Sequence, residues 1–589
     1  MRWRMRATRG RKTSAVFLGN ACEVTRCTSK TCNAMATDFA TIPDVIRRQC
    51  EAYPDNAALI EARAGWLTRG ERAVTFRQLD AMSLGLAAWL VRRGVGRGDV
   101  VLVLAPMSSS LYVVLLALFR VGATAMILDP AAGLEHVRAC CAEQPPRAFF
   151  GVWKAHALRL LVPEIRAAEL SVWVSLDPSR LPCEAAPESG MPGPGPETAA
   201  LLTFTSGSTG RPKAAVRTHG FLIAQHQALA KALELRAGEV DLTTLPVFVL
   251  ANMASGVTSL LPDADMRRPG QVRADRIAAQ VARHRPARTA GSPAFYLRIL
   301  AEAGPEVLGS FRRLYTGGAP VFPSTLRRLQ EAAPHAQVVA VYGSTEAEPV
   351  SHIPWDAMSS EDLELMRGGK GLLAGHPVQE IQLRIVDITR LAQSGCDEEA
   401  GAFPGRGPMR ISDTDFQSMA TATGEAGEIW VAGAHVLQGY LGGRGDAECK
   451  CVVSGAVGEG NAEGSGTVWH RTGDAGYLDT QGRLWLLGRV SACVRDDRAT
   501  LYPFAVECVA MSFDCVRRCA FVAGRGVRIL VVEHSRPPAA EESVALAEAL
   551  AWVSPIRIVP VSAIPLDRRH NAKVDYPALR KYLASTGLD

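Results

Sequence analysis

Short runs of Val, Leu and Ile recur along this chain, each followed by an amphipathic stretch and then by another apolar run. Val100–Leu104 (VVLVL) leads into a helical pattern from about Ser109 to Val121, then Ala123–Leu128, then a second helical pattern at Leu134–Glu143. A strand buried on both faces is nearly continuous in apolar residues, and its parallel neighbour is reached only through a crossover. The alternation therefore predicts parallel sheets wrapped by helices. It returns at Leu201–Phe204, at the helical segment His219–Leu235, at Val240–Leu245 and at Val338–Tyr342. The expected fold class is α/β.

A chain of 589 residues, 48% of them hydrophobic, is too long for one ordinary core. The pattern changes after LDTQGRLWLLGR (Leu478–Arg489) to a compact segment of about 100 residues, enough for a small α+β domain. The expected division is a basic extension at 1–35, a large domain at 36–488 and a small C-terminal domain at 489–589. Pro187–Glu197, Ser394–Gly424 and Ser454–Gly466 have the composition of loops, and no internal repeat is visible.

Charge excludes one class of partner. Residues 1–34 hold eight Lys/Arg against Glu23, a charge of +7, which leaves −1 of the net +6 for everything else. The body has no electrostatic footprint for nucleic acid. The basic segment has the composition of a transit peptide, and an upstream extension or misassigned start ahead of Met35 fits it equally. The cysteine pairs lack zinc spacing, so reduced, mostly buried thiols in an intracellular compartment, cytoplasmic or organellar, are expected. Arg120 and Gly122 interrupt the apolar run Leu111–Leu128, which reads as a buried helix and strand and not as a membrane span. Peripheral membrane association stays open.

The stretch TFTSGSTGRPKAAVRTHG (Thr203–Gly220) crowds hydroxyls, glycines and Lys213 together. A Walker loop needs lysine directly after glycine and a helix beginning there. Here Arg211 and Pro212 intervene, and the following AAVR reads as a strand. The expectation is a hairpin whose hydroxyls and glycine-freed amides form an anion nest, with Lys213 adding charge. Its apolar framing argues against the alternative, a plain flexible Ser/Gly turn.

TSGSTGRPK resembles the phosphate-loop signature of the acyl-adenylate-forming superfamily, the AMP-dependent synthetases and ligases. That resemblance implies that Thr205, Ser206, Gly207, Ser208, Thr209, Gly210 and Lys213 hold the β- and γ-phosphates of ATP. VYGSTEAEPV (Val341–Val350) resembles the second signature of the family. By that likeness Tyr342 and Gly343 face adenine, Thr345 meets the α-phosphate and Glu346 binds Mg²⁺, a hard cation suited to carboxylate oxygen. GGAP (Gly317–Pro320) resembles the segment beneath adenine and acyl group, which brings in Gly317, Gly318 and Ala319. HRTGDAGYLD (His470–Asp479) resembles the ribose-binding segment with Asp474 as its acceptor, and Gly488–Arg489 the hinge, with Arg489 near ribose or phosphate. In PLDRRHNAKVDYPALRKYL (Pro565–Leu583), Lys573 matches the lysine that family members swing into the active site. The small domain is accordingly expected to be mobile about Gly488–Ser491.

The likeness implies attack of a fatty carboxylate on the α-phosphorus of ATP, giving acyl-AMP and pyrophosphate, with Lys573, Thr345 and Glu346 at the reacting atoms. Three positions depart from the commonest acyl-CoA synthetase pattern: Val249 where a histidine is usual, Ser491 after the hinge, and Ala499 for a glycine at the pantetheine tunnel. RHNAKVD, the YP…VE pairing in Leu501–Glu507 and TEAEPVS resemble the olefin β-lactone synthetases, which let the substrate's 3-hydroxyl displace AMP. Two alternatives remain, a long-chain acyl-CoA ligase that takes CoA and a catalytically inactive nucleotide-binding regulator. An apolar acyl pocket is expected from Phe248–Ser255, Phe295–Ile299 and Tyr315–Pro320.

Overall fold

The computed structural model of the protein describes residues 41–64, 69–129, 132–185, 193–206, 212–393, 407–454, 466–566 and 573–588. The basic segment 1–35 and the loop residues Gly207, Ser208, Thr209 and Gly210 lie outside them, as do the side chains of Thr205 and Ser206.

Val100–Leu104 is central to a six-stranded sheet, ordered Leu170–Trp173, Ala148–Gly151, Val100–Leu104, Thr124–Ile127, Ala199–Ser206, Pro212–Thr218. The first four junctions are parallel and the last is antiparallel. AFFG at Ala148–Gly151 is buried throughout, the two-faced burial that a helix-covered parallel sheet demands. The preceding helix, Ser109–Arg120, starts where the Ser108 hydroxyl accepts from the Leu111 amide. Every residue from Ser109 to Phe119 is buried. Gly122, at φ +72°, turns the chain into Thr124–Ile127. The apolar run is thus one helix and one strand, and no helix among the described residues is long and apolar enough to cross a membrane.

A larger sheet has Arg69–Thr75 at one edge, antiparallel to Ala57–Ala64, and runs from there through the parallel strands Ala57–Ala64, Thr258–Leu260, Val240–Thr243, Arg288–Gly291, Arg313–Gly317 and Gln337–Ser344. It continues antiparallel through Ala347–Pro354, Leu372–Pro377, Leu484–Arg489, Gly466–Leu478, Gly427–Ala432 and Gln382–Val386. The strand Leu372–Pro377 changes partners at a bulge: His376 pairs with His352, while Leu372 to Gly375 pair with Leu486 to Leu484. Gly375 has φ +83°, and a Cβ there would lie 2.3 Å from the His352 carbonyl oxygen. Only glycine fits this corner, which curls the sheet back towards itself. The curl brings residues four strands apart in the order into contact.

Within the expected loop Ser394–Gly424, the described residues from 407 onward include a strand and a helix. Met409–Ser412 pairs in parallel with Lys450–Ser454, followed by a helix at Asp413–Ser418 that the Ser412 hydroxyl caps. The run MRIS alternates buried and exposed, a period-2 signal too short to read beside its polar neighbours.

Residues beyond Arg489 carry a three-stranded sheet of Val516–Ala523, Arg528–His534 and Ile556–Val561. Alternate residues pack on its two faces: Phe521, Leu530 and Val532 on one, Ala520, Val522, Ile529 and Val531 on the other. Helix Pro503–Ala510 packs both ways. Its Cys508 joins the large core and its Val506 and Val509 the small one.

Candidate active site

The curl of the large sheet brings Tyr342, Asp474 and Arg489, the residues expected at the ribose, together. The Tyr342 hydroxyl donates to Oδ2 of Asp474 at 2.8 Å, and Oδ1 of Asp474 meets Nε of Arg489 at 3.2 Å. Asp474 and Arg489 are direct partners on neighbouring antiparallel strands, so register alone places them. Arg489 also donates through Nη1 to the Thr472 carbonyl at 2.8 Å, and the Asp474 amide donates to the Thr472 hydroxyl at 3.0 Å. Asp474 holds the Arg489 guanidinium above its ordinary pKa against the opposing effect of burial. Burial and the Asp474 charge push the Tyr342 phenol well above its usual range, so it stays a donor. A carboxylate offers about four lone-pair sites, which leaves Asp474 capacity for the two hydroxyls of a ribose.

The floor beside Tyr342 is backbone packed on backbone. A Cβ on Gly317 would lie 2.6 Å from the Val341 carbonyl oxygen, and one on Gly343 would lie 3.0 Å from that of Ala347. Gly318 has φ +76° and leads into Ala319. A flat surface for a ring system needs this absence of side chains.

At the phosphate end the expected hairpin is present: Ala199–Ser206 and Pro212–Thr218 pair antiparallel, with Thr205 opposite Lys213. Lys213 is only 7% exposed and is committed to an ion pair with Glu448, with Sγ of Cys449 at 3.4 Å. Burial works against its ammonium, but Glu448 and the other partners prevail and its pKa is raised. The Thr345 carbonyl accepts from Nη2 of Arg217 at 2.7 Å. Glu346 accepts from the Tyr440 hydroxyl at 3.0 Å through Oε1. Burial would favour its neutral acid, yet its surroundings hold it below the usual carboxylate range. His470, the Tyr440 hydroxyl and Lys450 oppose the effect of burial on Glu346, in that order; burial holds His470 itself down to about 3 and Lys450 down to about 8. Glu346 is thus an ionised hard oxygen donor of the kind that would hold Mg²⁺.

Lys573 is exposed beside a bridge between Leu566 and Val574, and its charge reaches Glu348. Burial raises the Glu348 carboxyl to about 7, with Arg217 and Lys573 opposing. The charge of Lys573 thus reaches the strand that follows Glu346.

Sequence reasoning missed Arg217, Glu348, Tyr440, Glu448 and Lys450. Lys450 carried a signal, as a lone cation inside the apolar run CKCVV. Of the expected acyl-pocket segments, Phe248, Ala251 and Tyr315 share one apolar cluster, while Phe295–Ile299 packs into the main core. A separate cavity of about 570 Å³ near His352, His376 and Glu380 contains none of the predicted site residues.

The AMP-binding enzyme family profile matches residues 46–441. The chain belongs to this family, and in class it is an AMP-forming, acid-activating ligase. It is 34% identical to an olefin β-lactone synthetase of Stenotrophomonas maltophilia (strain K279a), over 85% of this chain and 89% of that protein. It is 30% identical to an olefin β-lactone synthetase of Xanthomonas campestris pv. campestris, over 92% and 97% of the two chains. In fold it resembles the o-succinylbenzoate coenzyme A synthetase of Bacillus subtilis in complex with AMP. That likeness has a TM-score of 0.66 at 20% identity and covers 92% of this chain and 98% of the other.

Proposed function

We propose that the protein activates a fatty 3-hydroxy acid with ATP and then closes it to a β-lactone. In the first step a carboxylate oxygen bonds to the α-phosphorus and pyrophosphate leaves. In the second the 3-hydroxyl oxygen bonds to the acyl carbon, the bond from that carbon to the AMP oxygen breaks, and the hydroxyl proton passes to solvent.

Charge accumulates on the phosphorus and on the departing pyrophosphate, so cations and donors must be in place beforehand. Asp474, with Tyr342 and Arg489 fixing it, would orient the ribose. Thr345 and Lys573 would meet the α-phosphate, and Lys573 would also meet the substrate carboxylate. The Thr205–Gly210 loop would hold the β- and γ-phosphates, with Lys213 contributing once it exchanges Glu448 for phosphate. Glu346 would hold Mg²⁺, which when bound offsets phosphate charge. The part beyond residue 488 would rotate about Gly488–Ser491 between steps; Gly488 has φ +107°, a backbone setting that glycine tolerates.

The similarity to two olefin β-lactone synthetases over most of both chains carries the choice of product. Val249 supports it: the residue is fully buried and offers no polar atom where CoA ligases commonly keep a histidine. The test is to incubate the full chain with ATP, Mg²⁺ and a long-chain 3-hydroxy acid, with and without CoA, and to identify products by mass spectrometry. β-Lactone and AMP in both samples are expected. A thioester formed only with CoA establishes the acyl-CoA ligase instead, and no AMP from any acid establishes a nucleotide-binding regulator.

A further inference from the structure

None of the nucleotide contacts proposed above uses Glu348, which lies two residues beyond Glu346 on the strand Ala347–Pro354. Its side chain runs past Gly343, where a Cβ would sit 3.2 Å from both Cα and Cγ of Glu348. Its backbone carbonyl accepts from Nε2 of Gln225 at 3.4 Å. Among the described residues no donor hydrogen-bonds its carboxylate, although the group is half-buried. The cations whose charge reaches it are Arg217, which donates through Nη2 to the Thr345 carbonyl, and Lys573. The expected pocket residues Phe248, Val249 and Ala251 are buried and apolar and carry no polar side-chain atom for a substrate hydroxyl.

A carboxylate without a donor, in the field of the lysine that meets the substrate's carboxyl group, is poised for a donor on the substrate close to that group. A 3-hydroxyl is such a donor, separated from the carboxyl carbon by a single methylene. A chain without the hydroxyl would cover Glu348 and leave it unpaired, which disfavours that chain more than any loss of apolar contact would.

We infer that Glu348 sets substrate specificity: its carboxylate accepts the hydrogen bond of the 3-hydroxyl and holds that oxygen beside the activated carboxyl, selecting 3-hydroxy acids over unsubstituted acids of equal length. The inference rests on the reading that Lys573 meets the substrate carboxylate. It assigns Glu348 a contact with substrate and no bond-making step.

Acid-dependent ATP–pyrophosphate exchange tests it, using the full chain with a 3-hydroxy acid and the unsubstituted acid of the same length. The wild type is expected to favour the hydroxy acid by roughly 10- to 10²-fold in kcat/KM, the worth of one hydrogen bond to a charged group. Glu348→Leu is expected to lose that preference and to gain several-fold on the unsubstituted acid, a gain that structural damage does not produce. Glu348→Gln keeps an acceptor oxygen and is expected to retain part of the preference. Equal use of both acids by the wild type, or a full preference kept by Glu348→Leu, overturns the inference. Because exchange reads only the first step, a preference found without any lactone product supports Glu348 and contradicts the product assignment alone.

Discussion

Asp474 is held from three directions, by the Tyr342 hydroxyl, by Arg489 and by the Thr472 hydroxyl at its own amide. Lys573 stands exposed beside the Leu566–Val574 bridge, at the end of a segment whose residues 567–572 lie outside the described ones. The first arrangement follows from strand register and from the corner at Gly375, and nothing has to move for it to form. The second is a long cation on a connection between two elements. On the proposed function, binding and chemistry would be built by different means: a sheet fixed by strand register would orient the nucleotide, and the segment carrying Lys573 would bring the charge that the transition state needs.

Lys573→Ala gives the largest break in this contrast. Acid-dependent pyrophosphate exchange should fall on the order of 10²–10³, the scale for deleting one preorganised group. Calorimetric titration of ATP should change only a few-fold, because the Tyr342–Asp474–Arg489 cluster is untouched. Equal losses in exchange and binding would show that the two regions are not separable.

A smaller effect sharpens the same contrast through pH. Glu507 is buried under the small sheet, accepts from the Phe521 amide at 2.9 Å and faces the Tyr576 hydroxyl at 3.4 Å, three residues after Lys573. Burial raises its pKa to about 7 from an ordinary 4.5. The folded state thus binds this proton more tightly than the unfolded state. The stability it confers is complete below about pH 4.5 and is lost as pH rises through about 7. The melting temperature should drop by a few degrees (~2–4 °C per kcal/mol) between pH 5 and pH 8, and Glu507→Gln should lack that component. A drop of the same size in the variant would assign the pH dependence to other groups.

The legible parts were those governed by local pattern. The strands around Val100–Leu104 and the hairpin of Ala199–Ser206 with Pro212–Thr218 follow from apolar periodicity and motif order, while the pairing of Asp474 with Arg489 emerged only from strand register. What stayed hidden depends on residues far apart in the chain. The Lys213 partner Glu448 lies 235 residues away, and Tyr440 reaches Glu346 across 94. No window of sequence shows that Lys213 is held in an ion pair with Glu448, or that the charge of buried Lys450 reaches Glu346. The corner at Gly375 was equally silent, since a glycine in a strand looks the same whether it weakens the strand or turns it. Glu348 was in plain view in TEAEPV, but its meaning depends on where Lys573 lies.

The account turns on the substrate's own hydroxyl being the acceptor, and continuous measurement of AMP release without CoA tests this most directly. With a long-chain 3-hydroxy acid, ATP and Mg²⁺, AMP should accumulate through many turnovers, while the unsubstituted acid should stop near one equivalent per enzyme. AMP release that stalls at one equivalent with the 3-hydroxy acid, and resumes only when CoA is added, would contradict it.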